Sequence, residues 1–168
     1  MDIRDAVEAD FDRITAIYND IVLHSTATYN DRPASIEARI AWWRSREQQG
    51  CPVLVAADGA NILGFASFGD FRSWPGYRFT VETTIYIQSQ SRGRGVGTVL
   101  LTELVSRAKN LGKHSMIAAV DSENTASLSF LKRFGFEQVG YLPQVGFKFD
   151  RFLDLVVLQY GLTPPIPD

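Results

Sequence analysis

Between a predicted strand and a predicted helix the chain reads Arg92-Gly93-Arg94-Gly95-Val96-Gly97, and this stretch decides the fold. Glycines at the start of a helix let the backbone pass close to a ligand. The first-turn N–H groups then point outward at the positive end of the helix dipole, where a phosphate group binds well. Arg92 and Arg94 add positive charge. The segment therefore predicts a pyrophosphate-binding loop, although tight strand–helix packing alone would also use these glycines.

Two common phosphate-binding motifs fit this loop poorly. A Walker loop is excluded because no Gly-Lys-Ser or Gly-Lys-Thr occurs in the chain. A dinucleotide-binding unit would continue Gly93-x-Gly95 with Gly or Ala three positions on, where the chain has Thr98. The unit also lies mid-chain, with no second mononucleotide half behind it. A nicotinamide-binding domain stays open as an alternative that the glycine spacing disfavours.

Apolar periodicity predicts two helices and a hairpin before the loop. The first helix covers residues 8–23 with Asp10 as its N-cap. The second runs from Ser35, its N-cap, to Gln49. Two short apolar runs then flank Asp58-Gly59-Ala60-Asn61, and Asp-Gly supplies the positive φ angles of a tight turn.

One strand leads into the loop, and helices and strands alternate after it. The incoming strand covers residues 79–87, and its alternation puts Glu82 and Tyr86 on the same face. The later elements are a helix ending at Gly112, a strand over 115–120, a helix from Asn124 to Phe134, and an antiparallel pair near 136–142 and 152–160. The total is about seven strands and four helices in a mixed α/β fold with a central strand–helix–strand unit.

Length and charge describe one nearly neutral globular domain. The chain has 168 residues, with 17 Lys and Arg against 19 Asp and Glu and a formal net charge of -2. A nucleic-acid binder would need a field of basic residues. One cysteine, Cys51, excludes an internal disulfide, and its spacing from the two histidines predicts no metal site. Without a signal peptide or a bilayer-spanning apolar run, we expect a soluble cytoplasmic domain over 1–162 and a Pro-rich tail over 163–168.

Two motifs together resemble one enzyme family. The glycine loop fits the Arg/Gln-x-x-Gly-x-Gly/Ala pattern of the GNAT acyl-CoA-dependent N-acetyltransferases. Asn124-Thr125-Ala126-Ser127, followed by a helix that ends at Gly135-Phe136, resembles the second signature of that family. Three further segments resemble the phosphinothricin and methionine sulfoximine acetyltransferases: residues 17–20, 80–87 and 144–151. The resemblance implies a mixed, mostly antiparallel GNAT sheet, acetyl-CoA as co-substrate, detoxification of a small amino-acid analogue, and a homodimer.

The resemblance also implies where each ligand binds. It assigns acetyl-CoA to Ile85, Tyr86, Ile87, Arg92, Gly93, Arg94, Gly95, Val96, Gly97, Thr98 and Asn124. It assigns the acceptor to Arg72, Ser73, Trp74, Arg78, Glu82, Thr83 and Thr84. Arginines suit a carboxylate or phosphinate, which supports the second assignment. A solvated surface loop would also carry arginines, and that alternative stays open.

Glu82 is the predicted general base, with Tyr86 as a second catalytic residue. An amine at neutral pH is mostly ammonium and must lose a proton before it attacks a thioester directly, through a tetrahedral intermediate. Apolar neighbours should raise the pKa of Glu82. The general acid stays open between Tyr86, Tyr141 and water, because Leu131 stands where this family often has Tyr or His.

Two other functions remain open at this point. The same fold could acetylate a protein N-terminus or another small amine, although the aromatic loop over 71–79 favours a closed pocket for a small molecule. A CoA-binding sensor without turnover is the other possibility, and Leu131 is its one positive sign.

Overall fold

The computed structural model describes residues 1–162, so the predicted tail over 163–168 lies outside the described residues. The strands in this range are β1 (Asp2–Asp5), β2 (Val53–Asp58), β3 (Asn61–Asp70), β4 (Thr80–Ile87), β5 (Ser115–Asp121), β6 (Glu137–Lys148) and β7 (Arg151–Gly161). The helices are α1 (Phe11–His24), α2 (Ile36–Gln48), α3 (Val96–Asn110) and α4 (Thr125–Phe134). None of these helices is long and apolar enough to cross a membrane. The predicted mixed α/β class is confirmed, and β1 is a strand that the sequence pattern did not locate.

The strands form one sheet in the order β1-β2-β3-β4-β5-β7-β6. Each neighbouring pair is antiparallel except β4 and β5, which run parallel and are joined through α3. A parallel pair needs such a crossover, because a tight turn can join only antiparallel strands. The central strand–helix–strand unit and the mostly antiparallel sheet are therefore both confirmed.

Each face of the sheet has its own hydrophobic core. Residues of α3 and α4 pack on one face, where Val81 and Leu104 are fully buried. Residues of α1 and α2 pack on the other, around Phe11 and Phe65. Alternation along β4 divides its side chains between the two cores, with Val81 on the first and Tyr86 on the second. Strand β4 thus contributes side chains to both hydrophobic cores, and its two faces have different surroundings.

Local capping determines where several helices begin. The Ser35 hydroxyl accepts a hydrogen bond from the Ala38 N–H at 3.1 Å and caps α2, as predicted. The Asn124 carboxamide oxygen accepts one from the Ser127 N–H at 3.2 Å and caps α4, as predicted. Gly135 ends α4 with φ of +114°. Capping interactions join residues that are close together in the chain, so they can be predicted from the local sequence.

The predicted capping role of Asp10 is wrong. A short 3-10 turn over Glu8–Asp10 leads straight into α1, so Asp10 already has helical backbone angles. Its buried carboxylate instead accepts hydrogen bonds from Arg4 at 2.7 and 2.8 Å and from the Val7 N–H at 2.8 Å. The hydrogen bond from Arg4 holds the pKa of Asp10 below its usual value. Arg4 lies in β1, so this pair ties the first strand to the first helix.

Candidate active site

A cleft opens where β4 and β5 part. The two parallel strands pair only between residues 80–82 of β4 and 115–117 of β5. Past Glu82, β4 continues to pair with β3 as far as Ile87, while β5 continues to pair with β7. Within residues 1–162, the edge of β4 that faces β5 therefore has no strand partner over residues 83–87. An extended ligand could pair with this edge as an added strand.

The glycine loop lies beside this cleft and leads into α3. Gly93 and Gly95 have φ of +73° and +80°, in the left-handed region that favours glycine. The first hydrogen bond of α3 runs from the Val99 N–H to the Gly95 carbonyl at 3.2 Å. The N–H groups of residues 96–98 precede that bond and have no helical acceptor. They are available to an anion in the cleft.

Gly97 is glycine for a different reason. A Cβ at this position would lie 3.3 Å from the Phe130 ring on α4. A Cβ placed on Gly93 or Gly95 would have no atom of the described residues within 4 Å, apart from those of its chain neighbours. Tight helix packing, the alternative explanation of the loop, therefore accounts for Gly97 alone. The space in front of the other two glycines is free for a ligand.

The cleft has a volume of about 980 Å³ and collects most of the residues predicted to bind acetyl-CoA. The predicted acetyl-CoA residues that line it are Ile85, Tyr86, Ile87, Arg92, Gly93, Gly95, Val96, Gly97, Thr98 and Asn124. Thr83 and Thr84, which are predicted to bind the acceptor, line it as well. Arg94 is exposed and is the one predicted cofactor residue that does not line it. Residues from β4, the loop, α3 and the cap of α4 thus meet around one space.

The wall of the cleft carries positive charge. Arg92, Arg133 and Arg151 line it, and within residues 1–162 no acidic side chain does. Arg133 and Arg151 are not part of the glycine loop, and no local pattern in the sequence indicates them. Arg151 is also paired with Glu123 at 2.7 Å, so its charge is partly compensated. A partly apolar cleft with these arginines suits a phosphate-bearing ligand of the acyl-CoA kind. In the same range, no group of three His, Cys, Asp or Glu side chains could hold a metal ion.

Glu82 stands at the point where the strands separate. It forms the last β4–β5 pair, opposite Ile117. Its side chain is half-buried on the face covered by α1 and α2. Burial raises the pKa of this carboxyl, and the positive charge of Arg46 partly offsets the rise. A carboxylate in this environment can take up a proton near neutral pH.

Tyr86 lies on the same face, four residues further along β4. Its ring centroid is 5.4 Å from that of Phe65 and 6.0 Å from that of Tyr18. Burial raises the pKa of the Tyr86 hydroxyl, and a hydrogen bond with Thr28 partly opposes that rise. The phenol therefore keeps its proton at neutral pH and can act as a donor.

The other residues considered for the general acid differ from Tyr86 in position. Tyr141 is exposed on β6, where its hydroxyl donates to the Asp154 carboxylate, and it does not line the cleft. Leu131 is buried and lines the cleft, but its side chain has no polar atom. Of these three side chains, only Tyr86 combines an ionisable hydroxyl with a place on the cleft wall.

The predicted acceptor loop lies apart from the cleft. Its four predicted binding residues are exposed and do not line it: Arg72, Ser73, Trp74 and Arg78. The indole of Trp74 is 72% exposed. The guanidinium carbon of Arg78 lies 4.5 Å from the Phe79 ring centroid, and that of Arg72 lies 5.4 Å from that of Phe71. The loop joins the ends of β3 and β4 close to the Gly69–Glu82 pair, and the role of these four side chains stays a prediction.

Two arginines of α2, which the sequence pattern did not indicate, cover the face that carries Glu82. The guanidinium carbon of Arg39 lies 4.0 Å from the Trp42 ring centroid and 4.2 Å from that of Tyr18. Arg46 packs against Gly69 of β3. Their spacing of seven residues, two helical turns, puts both on one side of α2. This seven-residue spacing is the sequence pattern from which their common side of the helix could be predicted.

Polar contacts hold the loop after α1 in place as the outer wall of the cleft. The buried ammonium of Lys148 donates to the carbonyls of Ser25 at 2.7 Å and Thr28 at 2.9 Å. The Thr26 hydroxyl donates to the buried carboxylate of Asp121. Burial lowers the pKa of Lys148. Both anchors come from distant parts of the sequence, so no local motif reveals them.

Known proteins share this arrangement. The sequence model of the Acetyltransferase (GNAT) family matches residues 14–136, which run from α1 to the end of α4. This chain belongs to the GNAT acetyltransferase family. The match covers the glycine loop and every strand and helix that walls the cleft up to that point.

Individual relatives align with this GNAT chain over nearly its whole length. The L-methionine sulfoximine/L-methionine sulfone acetyltransferase of Pseudomonas aeruginosa is 48% identical over 163 residues, covering 96% of this chain and 95% of its own. The phosphinothricin N-acetyltransferase of Alcaligenes faecalis is 39% identical over 155 residues, covering 92% and 79%. The structure of YncA, an acetyltransferase of Salmonella typhimurium solved with its cofactor acetyl-CoA, matches with a TM-score of 0.94 at 43% identity, covering 99% and 97%.

The GNAT chain is therefore an acetyl-CoA-dependent N-acetyltransferase. The residues present fit this co-substrate. The cleft offers an unpaired strand edge, a helix N-terminus with free N–H groups and three arginines. The predicted fold, enzyme class and co-substrate are thus confirmed.

Proposed function

We propose that this acetyltransferase acetylates the α-amino group of a small amino-acid analogue of the methionine sulfoximine, methionine sulfone or phosphinothricin type. The observation that carries the proposal is the 48% identity, over nearly all of both chains, to a relative with that named activity. The phosphinothricin relative supports the same acceptor class. Detoxification of such compounds in the cytoplasm, and so resistance to them, is the role that follows.

The cleft holds acetyl-CoA, which supplies the acetyl thioester. The free edge of β4 over residues 83–87 takes the pantetheine arm as an added strand. The N–H groups of residues 96–98 and the side chain of Arg92 take the pyrophosphate. Asn124 caps α4 and lines the same cleft, so it can serve both purposes.

Glu82 and Tyr86 carry the proton transfers. Glu82 takes a proton from the acceptor ammonium, which the raised pKa of its carboxyl allows. The free amine then attacks the thioester carbonyl without an acyl-enzyme, and the C–S bond breaks as the tetrahedral intermediate collapses to the amide and the CoA thiolate. Tyr86, which keeps its proton at neutral pH, donates that proton to the thiolate and regains one as the nitrogen of the intermediate loses its second proton. These roles extend the chemistry predicted from the sequence.

An acceptor assay tests the proposed function. With acetyl-CoA present, thiol release should be rapid with methionine sulfoximine, methionine sulfone or phosphinothricin. We expect kcat/KM to be about 100-fold or more lower with a short peptide bearing a free N-terminus, the discrimination that a fitted small pocket provides. The N-acetylated analogues serve as controls and should release no thiol. Preference for the peptide, or no release with any amino-acid analogue, would contradict the proposed acceptor.

We also propose that the enzyme is a homodimer joined through an apolar ridge on β6 and β7. The ridge consists of side chains that are each more than half exposed: Val139, Tyr141, Val145, Phe147, Phe149 and Phe152. The first four lie on the edge strand β6, Phe149 lies in the turn after it, and Phe152 lies on the neighbouring strand β7. Exposed apolar groups of this number at a sheet edge favour burial against a partner. Phe149 also lines the cleft, so a second copy bound here would stand beside the active site.

Phe152→Glu should convert the enzyme into a monomer. Phe152 is 64% exposed and packs edge-on against Phe147 at 5.1 Å between ring centroids, so a charge there lies within the ridge. Sedimentation velocity of both proteins provides the measurement. Leu111→Glu is the matched control, because Leu111 is half exposed at the far end of α3 and should leave the mass unchanged. A wild-type monomer, or a dimeric Phe152→Glu variant, would refute this interface.

A further inference from the structure

Arg46 lies next to Glu82 without forming an ion pair with it. On β3, Gly69 is the cross-strand partner of Glu82. The guanidinium group of Arg46 reaches down from α2 onto Gly69, where any added side-chain carbon would overlap it. The positive charge therefore sits over the nearest neighbour of the general base, at a position that only glycine leaves open.

The guanidinium group has few other contacts. Its Nε atom is buried and has no hydrogen-bond partner. Its Nη1 donates to the Gln49 side chain at 3.1 Å, and its central carbon lies 5.7 Å from the Trp42 ring centroid. Across residues 1–162, the ion pairs of this protein involve other arginines. The charge of Arg46 is thus not neutralised by a carboxylate in direct contact.

Other charged or titratable side chains lie on the elements around Glu82: Tyr86 on β4, Asp70 on β3, Arg39 on α2, Tyr18 on α1 and Lys113 before β5. Tyr86 keeps its proton, and the charges of Glu82 and Arg39 shift the pKa of Tyr86 in opposite directions. Asp70, Arg46 and Lys113 all influence the pKa of the Cys51 thiol, and β5 places the apolar Ile117 opposite Glu82. Arg46 is the charged side chain that opposes the effect of burial on Glu82.

We propose that Arg46 is a positioning residue that keeps the general base ionised, and that Gly69 holds its charge in place. The proposal rests on the proposed function, in which Glu82 is the base. Burial favours the protonated carboxyl, whereas a nearby positive charge favours the carboxylate. Without Arg46, a larger share of the enzyme would hold Glu82 already protonated and inactive at mildly acidic pH.

Arg46→Met tests the proposal through the pH dependence of kcat/KM. The informative quantity is the ratio of variant to wild type at each pH, because ionisation of the acceptor amine cancels in it. We expect the ratio to fall by about three- to tenfold at mildly acidic pH, the effect of losing a nearby opposite charge. It should return close to one at alkaline pH, where Glu82 is ionised in both proteins. Arg46→Lys keeps the charge and should restore most of the acidic activity.

Arg44→Met is the matched control. Arg44 lies two residues away on the same helix, but it is exposed and pairs with Glu8 and Glu47. Its removal should leave the ratio flat across pH. A structural effect of losing an arginine from α2 would lower activity at every pH, whereas loss of charge beside Glu82 lowers it only at acidic pH.

Gly69→Ala provides a second, independent variant. The added methyl must displace the flexible end of Arg46, so it should reproduce the acidic loss while the arginine is still present. In the Arg46→Met background the same change should add little, because coupled residues are not additive. Full additivity of the two substitutions would overturn the assignment of Gly69.

Carbon-13 NMR of the Glu82 carboxyl gives a readout independent of turnover. Its titration midpoint should move to higher pH in Arg46→Met and stay in place in Arg44→Met. An unmoved midpoint would overturn the proposal, as would a flat ratio or a change in KM alone. Failure of the proposed function has a different signature: the wild type would release no thiol with the amino-acid analogues, while the NMR shift would still be seen.

Discussion

Glu82→Gln should lower kcat at neutral pH by about 10²- to 10⁴-fold, the usual contribution of a general base. Glutamine has nearly the same shape as glutamate but cannot accept the ammonium proton. The affinity for acetyl-CoA should not change, because Glu82 is not among the residues that line the cleft. Steady-state thiol release measures the first effect, and calorimetric titration with acetyl-CoA measures the second.

The pH dependence of the same variant separates base catalysis from a general disturbance. As pH rises, a growing share of the acceptor amine loses its proton to water, so the deficit of Glu82→Gln should shrink. In the wild type, activity should fall as pH decreases through the raised pKa of Glu82, because the base must be ionised to act. A Glu82→Gln variant with activity close to wild type at neutral pH would show that another group is the base. A deficit that is constant at all pH values would indicate a structural role.

Gly95→Ala should weaken acetyl-CoA binding by about 10- to 100-fold, the value of one charge-assisted hydrogen bond. Gly95 has φ of +80° and immediately precedes α3, so it determines where the N–H groups of residues 96–98 point. A side chain in the left-handed region costs about 1–2 kcal/mol. The loop can relieve that strain by turning these donors away from the cleft. Calorimetric titration with acetyl-CoA measures the loss.

Gly112→Ala is the matched control for this change. Gly112 follows the other end of α3 with φ of +69°, and beyond its chain neighbours no atom of residues 1–162 lies within 4 Å of a Cβ placed there. Both variants should therefore lose similar free energy of unfolding in urea, about 1–2 kcal/mol. Only Gly95→Ala should lose affinity for acetyl-CoA. Equal affinity in the two variants would show that the glycine loop does not orient the binding groups.

Most of the residues predicted to bind acetyl-CoA could be located at the cleft because they lie in one continuous segment. Residues 83–98 run along β4, through the glycine loop and into the first turn of α3. Strand alternation, left-handed glycines and helix N-termini are local properties, so they can be read from neighbouring residues. Arg133 and Arg151 line the same cleft but come from elements that no local rule places there.

The first strand and the first helix show the limit of local rules. Strand β1 has only four residues, and its pairing with β2, which is about 50 residues away, makes it a strand. Asp10 has a residue type typical of an N-cap, but Arg4 and the Val7 N–H take its carboxylate. In both cases a tertiary partner competes with the local preference and prevails.

The sequence by itself determined the mixed α/β class, the strand–glycine loop–helix unit and the family resemblance. Each of these depends on residues that are close together in the chain. Only the tertiary structure decided what surrounds Glu82. The β3–β4 register sets Gly69 beside the base, and the packing of α2 on that face brings Arg46 over the glycine. Register and helix packing depend on contacts across the whole sheet, which no local pattern specifies.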